Sequence, residues 1–457
     1  MNNQPFDRPS ERPSGQPFDQ PFGRSGAGGS GITRRGLLAG TAAAVLAAGT
    51  AAEANALPPT TTARAGLAAR TDLTARSDLT GRTDLTGLTL PDPPAAGIAR
   101  GQVFDNAIPD RSVYAGLVSF VWGASSLAQP AGAVPSAYMP AFRDFDKTHT
   151  LAWYEANHPD WIVYTANTPD RSAVAWEFNN QTYVPIDFQN PDVRTFYWDS
   201  FVQPKIDAGY PIIAFDNIGT FNGYGNAGHY RGSQWVQQYI GGSAGRVDSA
   251  WSTAVLDWMS YLSQRLHAAG IGMAANITWN ASVQLADMLQ AVSLVDVYVD
   301  EQGFTAHRPG NYNDAAWDDK YNFTRQIAGQ TLHLAINQTT EDTLANATQA
   351  QIDWAVANYL LYREQKSMLT ICGVGEYHVF VDCQQLHTNI GAPSAAPVLD
   401  ASGAYTRRYQ RGMTLVNKSA SATAVVTLPA GTFTDLHGNT VSGQLSLPPN
   451  SGSVLAN

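Results

Sequence analysis

The sequence predicts an α/β protein whose main body is a (β/α)8 TIM barrel followed by a small antiparallel β-sandwich module. Three observations lead there. After Gly97, eight short β-branched or apolar runs occur, and the later ones are separated by helical patterns. Beyond about Tyr405 the helical period vanishes and alternating runs are broken by Gly, Pro and Asn. No Gly-rich phosphate loop follows the first run, which counts against an open doubly wound sheet.

The expected strands are residues 113–123, 150–155, 183–188, 211–217, 272–278, 295–301, 332–338 and 367–373. Helices fit between the later ones. One opens on Pro191, which lacks only an N–H that a first helical turn leaves unpaired, and closes at Gly209. Another repeats apolar positions from Ser249 until Gly270, and a third covers residues 348–365. This gives a barrel over residues 98–400 and a β module over 401–457. The module lacks an aromatic platform, so it reads as a cap on the barrel and not as a carbohydrate-binding unit.

Ahead of the barrel the composition changes. Arg34 and Arg35 precede an Ala-rich apolar run that ends at Ala54-Asn55-Ala56, so residues 1–56 read as a twin-arginine export signal with cleavage after Ala56. The run falls short of the roughly 20 apolar residues of a membrane span. Residues 57–97 carry the hexapeptides ARTDLT, ARSDLT and GRTDLT, too short to bury a core, and read as a disordered Thr/Ala/Asp-rich linker. The expectation is a secreted, extracytoplasmic protein with no stable membrane insertion after cleavage. Cys372 and Cys383 are the only cysteines; in an exported chain one disulfide is expected, with two free thiols as the alternative.

Composition narrows the partner. With 14% charged residues and a formal net charge of -10, the chain is unsuited to the phosphate-backbone attraction of nucleic-acid binding. Eleven Trp and nineteen Tyr fit sugar recognition, although most such rings pack cores. No H-E-x-x-H spacing occurs, and the GGSAG of residues 241–245 follows none of the expected strands as a nucleophile elbow would, so neither a hydrolase serine, nor a metal, nor another cofactor is expected.

In a parallel barrel, strand C-termini carry the chemistry. Here those positions offer Trp122, Tyr154, Asp187, Asp216, Asn217, Asn276, Asp300, Glu301, Asn337 and Gln338, followed by Glu376 and His378 after the last strand. The set is rich in acids and amides and poor in Lys and Arg, which suits a neutral hydroxylated ligand. Cleaving an acetal needs one acid to protonate the leaving oxygen and one carboxylate to attack or stabilise the oxocarbenium-like centre. Asp216, ending the expected fourth strand, and Glu301, ending the sixth, are the candidates. Neighbours on a strand face opposite ways, so only one of Asp300 and Glu301 can face the barrel axis. Asp187, Asn217, Asn276, Trp122, Tyr154, Asp300, Gln338 and Glu376 are expected to contact substrate, as are Phe221 and Tyr224 of the glycine-rich loop behind Asp216.

The stretch YVPIDFQNPDVRTFYWDSFVQPKIDAGYPIIAFDNIG, the later VDVYVDEQGF, and the C-terminal RRYQRGMTLVNKS through PPNSGSVLAN occur in an order that resembles the hypothetical glycosyl hydrolases related to the endo-α-1,4-polygalactosaminidase group. The likeness covers roughly residues 100–457. It implies a barrel glycosidase in which Asp216 corresponds to a fourth-strand nucleophile and Glu301 to a sixth-strand acid/base. Related barrels often use Asp at the sixth strand, which keeps Asp300 open. The expected activity is hydrolysis of O-glycosidic bonds in a polysaccharide or oligosaccharide by a retaining two-carboxylate route. A non-catalytic glycan-binding cell-surface protein on the same scaffold is the alternative.

Overall fold

Eight parallel strands form a nearly closed barrel in the computed structural model, which describes residues 96–165, 184–222, 226–240, 247–306, 310–373 and 375–457. The export signal, nearly all of the linker, and Tyr224 lie outside these residues. The strands are β1 (Arg100–Phe104), β2 (Val118–Gly123), β3 in two segments (Val134–Pro135 and Ala137–Pro140), β4 (Ile212–Ile218), β5 (Gly272–Ile277), β6 (Val297–Asp300), β7 (Leu332–Gln338) and β8 (Ser367–Cys372). Each pairs in parallel with its sequence neighbours, and β8 pairs with β1. Closure passes through β3, whose first segment pairs with β2 and whose second pairs with β4. Ser136 stands at the join, its N–H donating to the Val121 carbonyl at 3.1 Å and its own carbonyl accepting from Ala124 N at 2.9 Å.

Side-chain alternation divides the strands into two layers. Ile212 and Ala214, Ala274, Val297 and Val299, and Leu332, Leu334 and Ile336 share one buried cluster with Phe120, Trp122 and Met368, the filled lumen of the barrel. Their alternates Ile213, Phe215, Met273 and Ala275 pack outward against Trp258, Met259 and Leu262. The lumen is tight enough that a Cβ on Gly101 would sit 2.5 Å from Leu334 Cδ1, so glycine there lets two strands approach.

Among the described residues seven helices connect the strands: α1 (Leu151–Asn157), α2 (Pro191–Tyr197), α3 (Gln203–Asp207), α4 (Ser249–Ala268), α5 (Ala281–Ser293), α6 (Asp314–Ile327) and α7 (Gln349–Tyr362). A π-helical turn (Trp198–Val202) joins α2 to α3 just before Pro204, which has no N–H to give an α-helical bond. Gly209 and Gly270, with φ +93° and +72°, turn the chain after α3 and α4 where the sequence placed the stops.

Five expected strands coincide with β4 to β8, and 113–123 contains β2 behind a short 3₁₀ turn (Arg111–Tyr114). Two are corrected. Residues 150–155 form α1, because the Thr150 side chain caps Trp153 N at 3.3 Å and starts a helix. Residues 184–188 run extended outside the barrel, bridging Arg143 and Ile162. The strands that replace them, β1 and β3, are short or broken around Pro135 and Pro140, so their periodicity is weak.

The C-terminal module has a six-stranded antiparallel sheet (398–456) and a two-stranded one (Ala424–Thr427 with Gln444–Leu447). Met413, Leu415, Val426, Phe433, Leu447 and Leu455 fill the space between them, which makes the module a sandwich. The opposite face of the larger sheet covers α7: Thr414 Oγ1 donates to the Ala357 carbonyl at 3.0 Å, and Arg407 Nη1 to those of Leu361 at 3.1 Å and Arg363 at 2.6 Å. Among the described residues no helix is long and apolar enough to cross a membrane.

Candidate active site

The lumen parity of β4, Ile212 and Ala214, continues to Asp216. There the pairing of β4 with β5 slips between Phe215 and Ile218, a bulge that re-aims the strand end. Asn217 occupies it with φ +65°, a left-handed conformation that Asn tolerates better than most side chains. The parity of β5 (Ala274) leads in the same way to Asn276, that of β6 (Val297, Val299) to Glu301, and that of β7 (Leu332, Leu334, Ile336) to Gln338.

These residues meet in one hydrogen-bonded arc across the C-terminal mouth. Tyr138 of β3 donates its hydroxyl to Asp216 Oδ2 at 2.5 Å, and Asn217 Nδ2 donates to the same oxygen at 3.2 Å. Asn276 Nδ2 donates to Asp216 Oδ1 and to Glu301 Oε2, each at 2.8 Å. Two acceptors that share one nitrogen at that distance stand no more than about 5.6 Å apart. Tyr377, in the loop after β8, donates to Glu301 Oε1 at 2.9 Å and accepts from Gln338 Nε2. Burial, and after it the charge of Glu301, pushes the Tyr377 hydroxyl well above the usual tyrosine range. Burial, and after it the charges of Glu376 and then Glu301, push the Cys372 thiol up.

Asp300 is turned the other way. Its Oδ2 lies 2.5 Å from Lys320 Nζ of α6 and 3.6 Å from His333 Nε2 of β7, in a pair whose side chains are 2% and 0% exposed. Burial alone would raise the carboxyl; the Lys320 ammonium and then His333 outweigh it and hold it below the ordinary aspartate range. Asp300 Oδ1 accepts from Gln302 N and Gly303 N at 3.4 and 3.2 Å, which fixes the turn just beyond Glu301. Strand alternation thus separates the two neighbours: Glu301 faces Asp216, and Asp300 serves the wall behind it.

Several residues expected at the ligand lie elsewhere. Trp122 is 3% exposed in the lumen core, edge-on to Tyr138. Tyr154, on a helix and not a strand, is fully buried with its hydroxyl donating to Asp144 at 2.5 Å. Asp187 is buried outside the barrel, accepting from Gln189 N and Gln238 Nε2 at 3.1 and 2.8 Å; burial raises its carboxyl. The cap of α2 is Asn190. Glu376 Oε2 accepts from Leu344 N and Gly373 N, both at 2.7 Å, and so clasps the loops after β7 and β8 together. Asn337 Oδ1 accepts from Phe304 N at 2.8 Å, and His378 stacks on Phe104. Phe221 is half-buried in the loop after β4.

Sequence reasoning missed Tyr138 and Tyr377. Tyr138 lies on the strand hidden by its prolines. Tyr377 sits between Glu376 and His378, both singled out, and it is the one of the three that reaches a carboxylate of the pair. The expected disulfide is also corrected, since both cysteines are free: Cys372 packs in the lumen cluster, while Cys383 packs outside it against the Leu344, Ile352 and Leu386 cluster. At the rim, Trp279 after β5 and Tyr312 after β6 meet edge to face at 5.3 Å, and Tyr312 donates to Gln302 Oε1 at 2.5 Å. Among the described residues no group of three or more His, Cys, Asp or Glu is placed to hold a metal ion.

No protein-family model matches the chain, and no curated protein matches its sequence. Among solved structures the chain is similar to a β-L-arabinopyranosidase of glycoside hydrolase family 27 from Geobacillus stearothermophilus, with 11% identity, 71% of this chain and 74% of that one covered, and a TM-score of 0.40. The glycoside hydrolase domain of PelA from Pseudomonas aeruginosa overlaps with 13% identity, 62% and 97% coverage and a TM-score of 0.38. For a debranching enzyme from Nostoc punctiforme the values are 14%, 71% and 76%, and 0.39.

Proposed function

We propose that the chain is a secreted glycoside hydrolase that cleaves O-glycosidic bonds of a polysaccharide or oligosaccharide with retention of configuration. The observation that carries this reading is the shared Asn276 amide, which holds one oxygen of Asp216 and one of Glu301 within about 5.6 Å of each other at the mouth of a parallel barrel. A gap of that size suits the roughly 5–5.5 Å of retaining pairs better than the roughly 6.5–9.5 Å across which inverting enzymes place a water.

The roles follow from the partners. Asp216 accepts from Tyr138, Asn217 and Asn276, an array of donors suited to an anionic nucleophile. Glu301 supplies the proton. In the first step Glu301 gives its proton to the departing glycosidic oxygen while an Asp216 oxygen bonds to the anomeric carbon, forming a glycosyl ester. In the second, Glu301 takes a proton from water, whose oxygen attacks the same carbon and releases Asp216. The twin arginines and the Ala-rich run support export, and the group that the chain resembles puts α-1,4-linked galactosamine polymers first among glycans to try.

Release of reducing ends from a glycan panel, measured for the wild type and for Asp216→Asn and Glu301→Gln, tests the reading. Both variants are expected to lose on the order of 10³-fold or more on any glycan that responds. Near-normal turnover in both would refute the assignment.

A further inference from the structure

We infer that Tyr377, oriented by Gln338, is a positioning residue that sets the proton affinity of Glu301; this rests on the acid/base role proposed for Glu301. Gln338 Nε2 donates to the Tyr377 oxygen, so the single hydroxyl proton of Tyr377 is directed at Glu301 Oε1, 2.9 Å away. Gln338 is 8% exposed at the end of β7, and Phe104 N donates to the Tyr377 carbonyl at 2.8 Å, so both members of the relay are anchored to the barrel.

A donor bonded to a carboxylate favours its charged form, whereas a second negative charge disfavours it. The groups facing Glu301 include both kinds. Asp216 of β4 stands across the Asn276 amide with Tyr138 of β3 behind it, and Cys372 of β8 and Glu376 of the following loop lie close enough for their charges to act on one another. On its own strand, Asp300 faces the opposite way and is matched by Lys320 of α6 and His333 of β7. Asp216 thus tends to hold a proton on Glu301, and Tyr377 opposes it. An acid that must become a base in the next step works best when the two are balanced near the working pH.

The test is a titration of the full chain labelled with 13C at the glutamate carboxyls, followed by NMR, with the Glu301 signal identified by its loss in Glu301→Gln. Tyr377→Phe is expected to raise the Glu301 midpoint by about one pH unit, a tenfold change in proton affinity. Gln338→Leu, which keeps the tyrosine but removes its orienting donor, is expected to raise the midpoint by less. A merely structural role for Tyr377 would not produce this ordered pair of shifts. A midpoint unmoved or lowered in Tyr377→Phe overturns the inference; if that variant does not fold, an unmoved or lowered midpoint in Gln338→Leu does so. Because no substrate enters the titration, its outcome is separate from that of the glycan assay.

Discussion

Asp216 and Glu301, from strands separated by a whole β/α unit, are joined through one atom: Asn276 Nδ2 lies 2.8 Å from an oxygen of each. The amide sits on the strand between them and so fixes both the gap and the orientation of the two carboxylates.

Replacing that amide should therefore cost rate more than binding. Asn276→Ala is expected to lower kcat about 10²-fold with a smaller change in KM, because misplacing reacting groups by about 1 Å costs that much. Asn276→Asp should be worse, since it puts a third carboxylate between two others. Steady-state kinetics on a responsive glycan, with circular dichroism as a check on folding, measures both.

The neighbours Asp300 and Glu301 should behave oppositely. Lys320→Met leaves Asp300 buried without its cation and is expected to destabilise the fold by about 3–5 kcal/mol. Glu301→Gln should change stability by less than about 1 kcal/mol while abolishing activity. Denaturant unfolding of the two variants makes the comparison.

Which of these neighbours faces the lumen was legible in the sequence only in part. Alternation required them to differ, and the apolar run of Val297 and Val299 already gave the parity that selects 301, but nothing in the sequence said which parity was lumen. Asp216 was easier to find, at the end of the uninterrupted apolar run of β4. The fourth and sixth strand positions were counted correctly because two false strands stood in for two missed ones. The missed strand β3 is irregular for a physical reason: it shifts partners at Ser136, and a proline, which has no N–H to give, ends each of its two segments. Tyr138 was hidden with it. Trp122 and Tyr154 are expected to contact substrate, but an aromatic side chain more often fills a core, as both do here.

Both cysteines are expected to be free thiols. Alkylation under denaturing, non-reducing conditions followed by intact mass measurement should add two labels. In the native protein Cys372 should resist labelling, because burial and nearby acids raise its thiol. An unlabelled pair that accepts two labels only after reduction would contradict the packing of the two residues into separate clusters.

The stereochemistry of cleavage tests the central claim most directly. Proton NMR of the first-formed product, recorded before mutarotation on a glycan of known anomeric configuration, is expected to show the same configuration as the bond that was cut. A product formed with inverted configuration would mean that water attacks across a wider gap, and would contradict a pair of carboxylates bridged by a single amide.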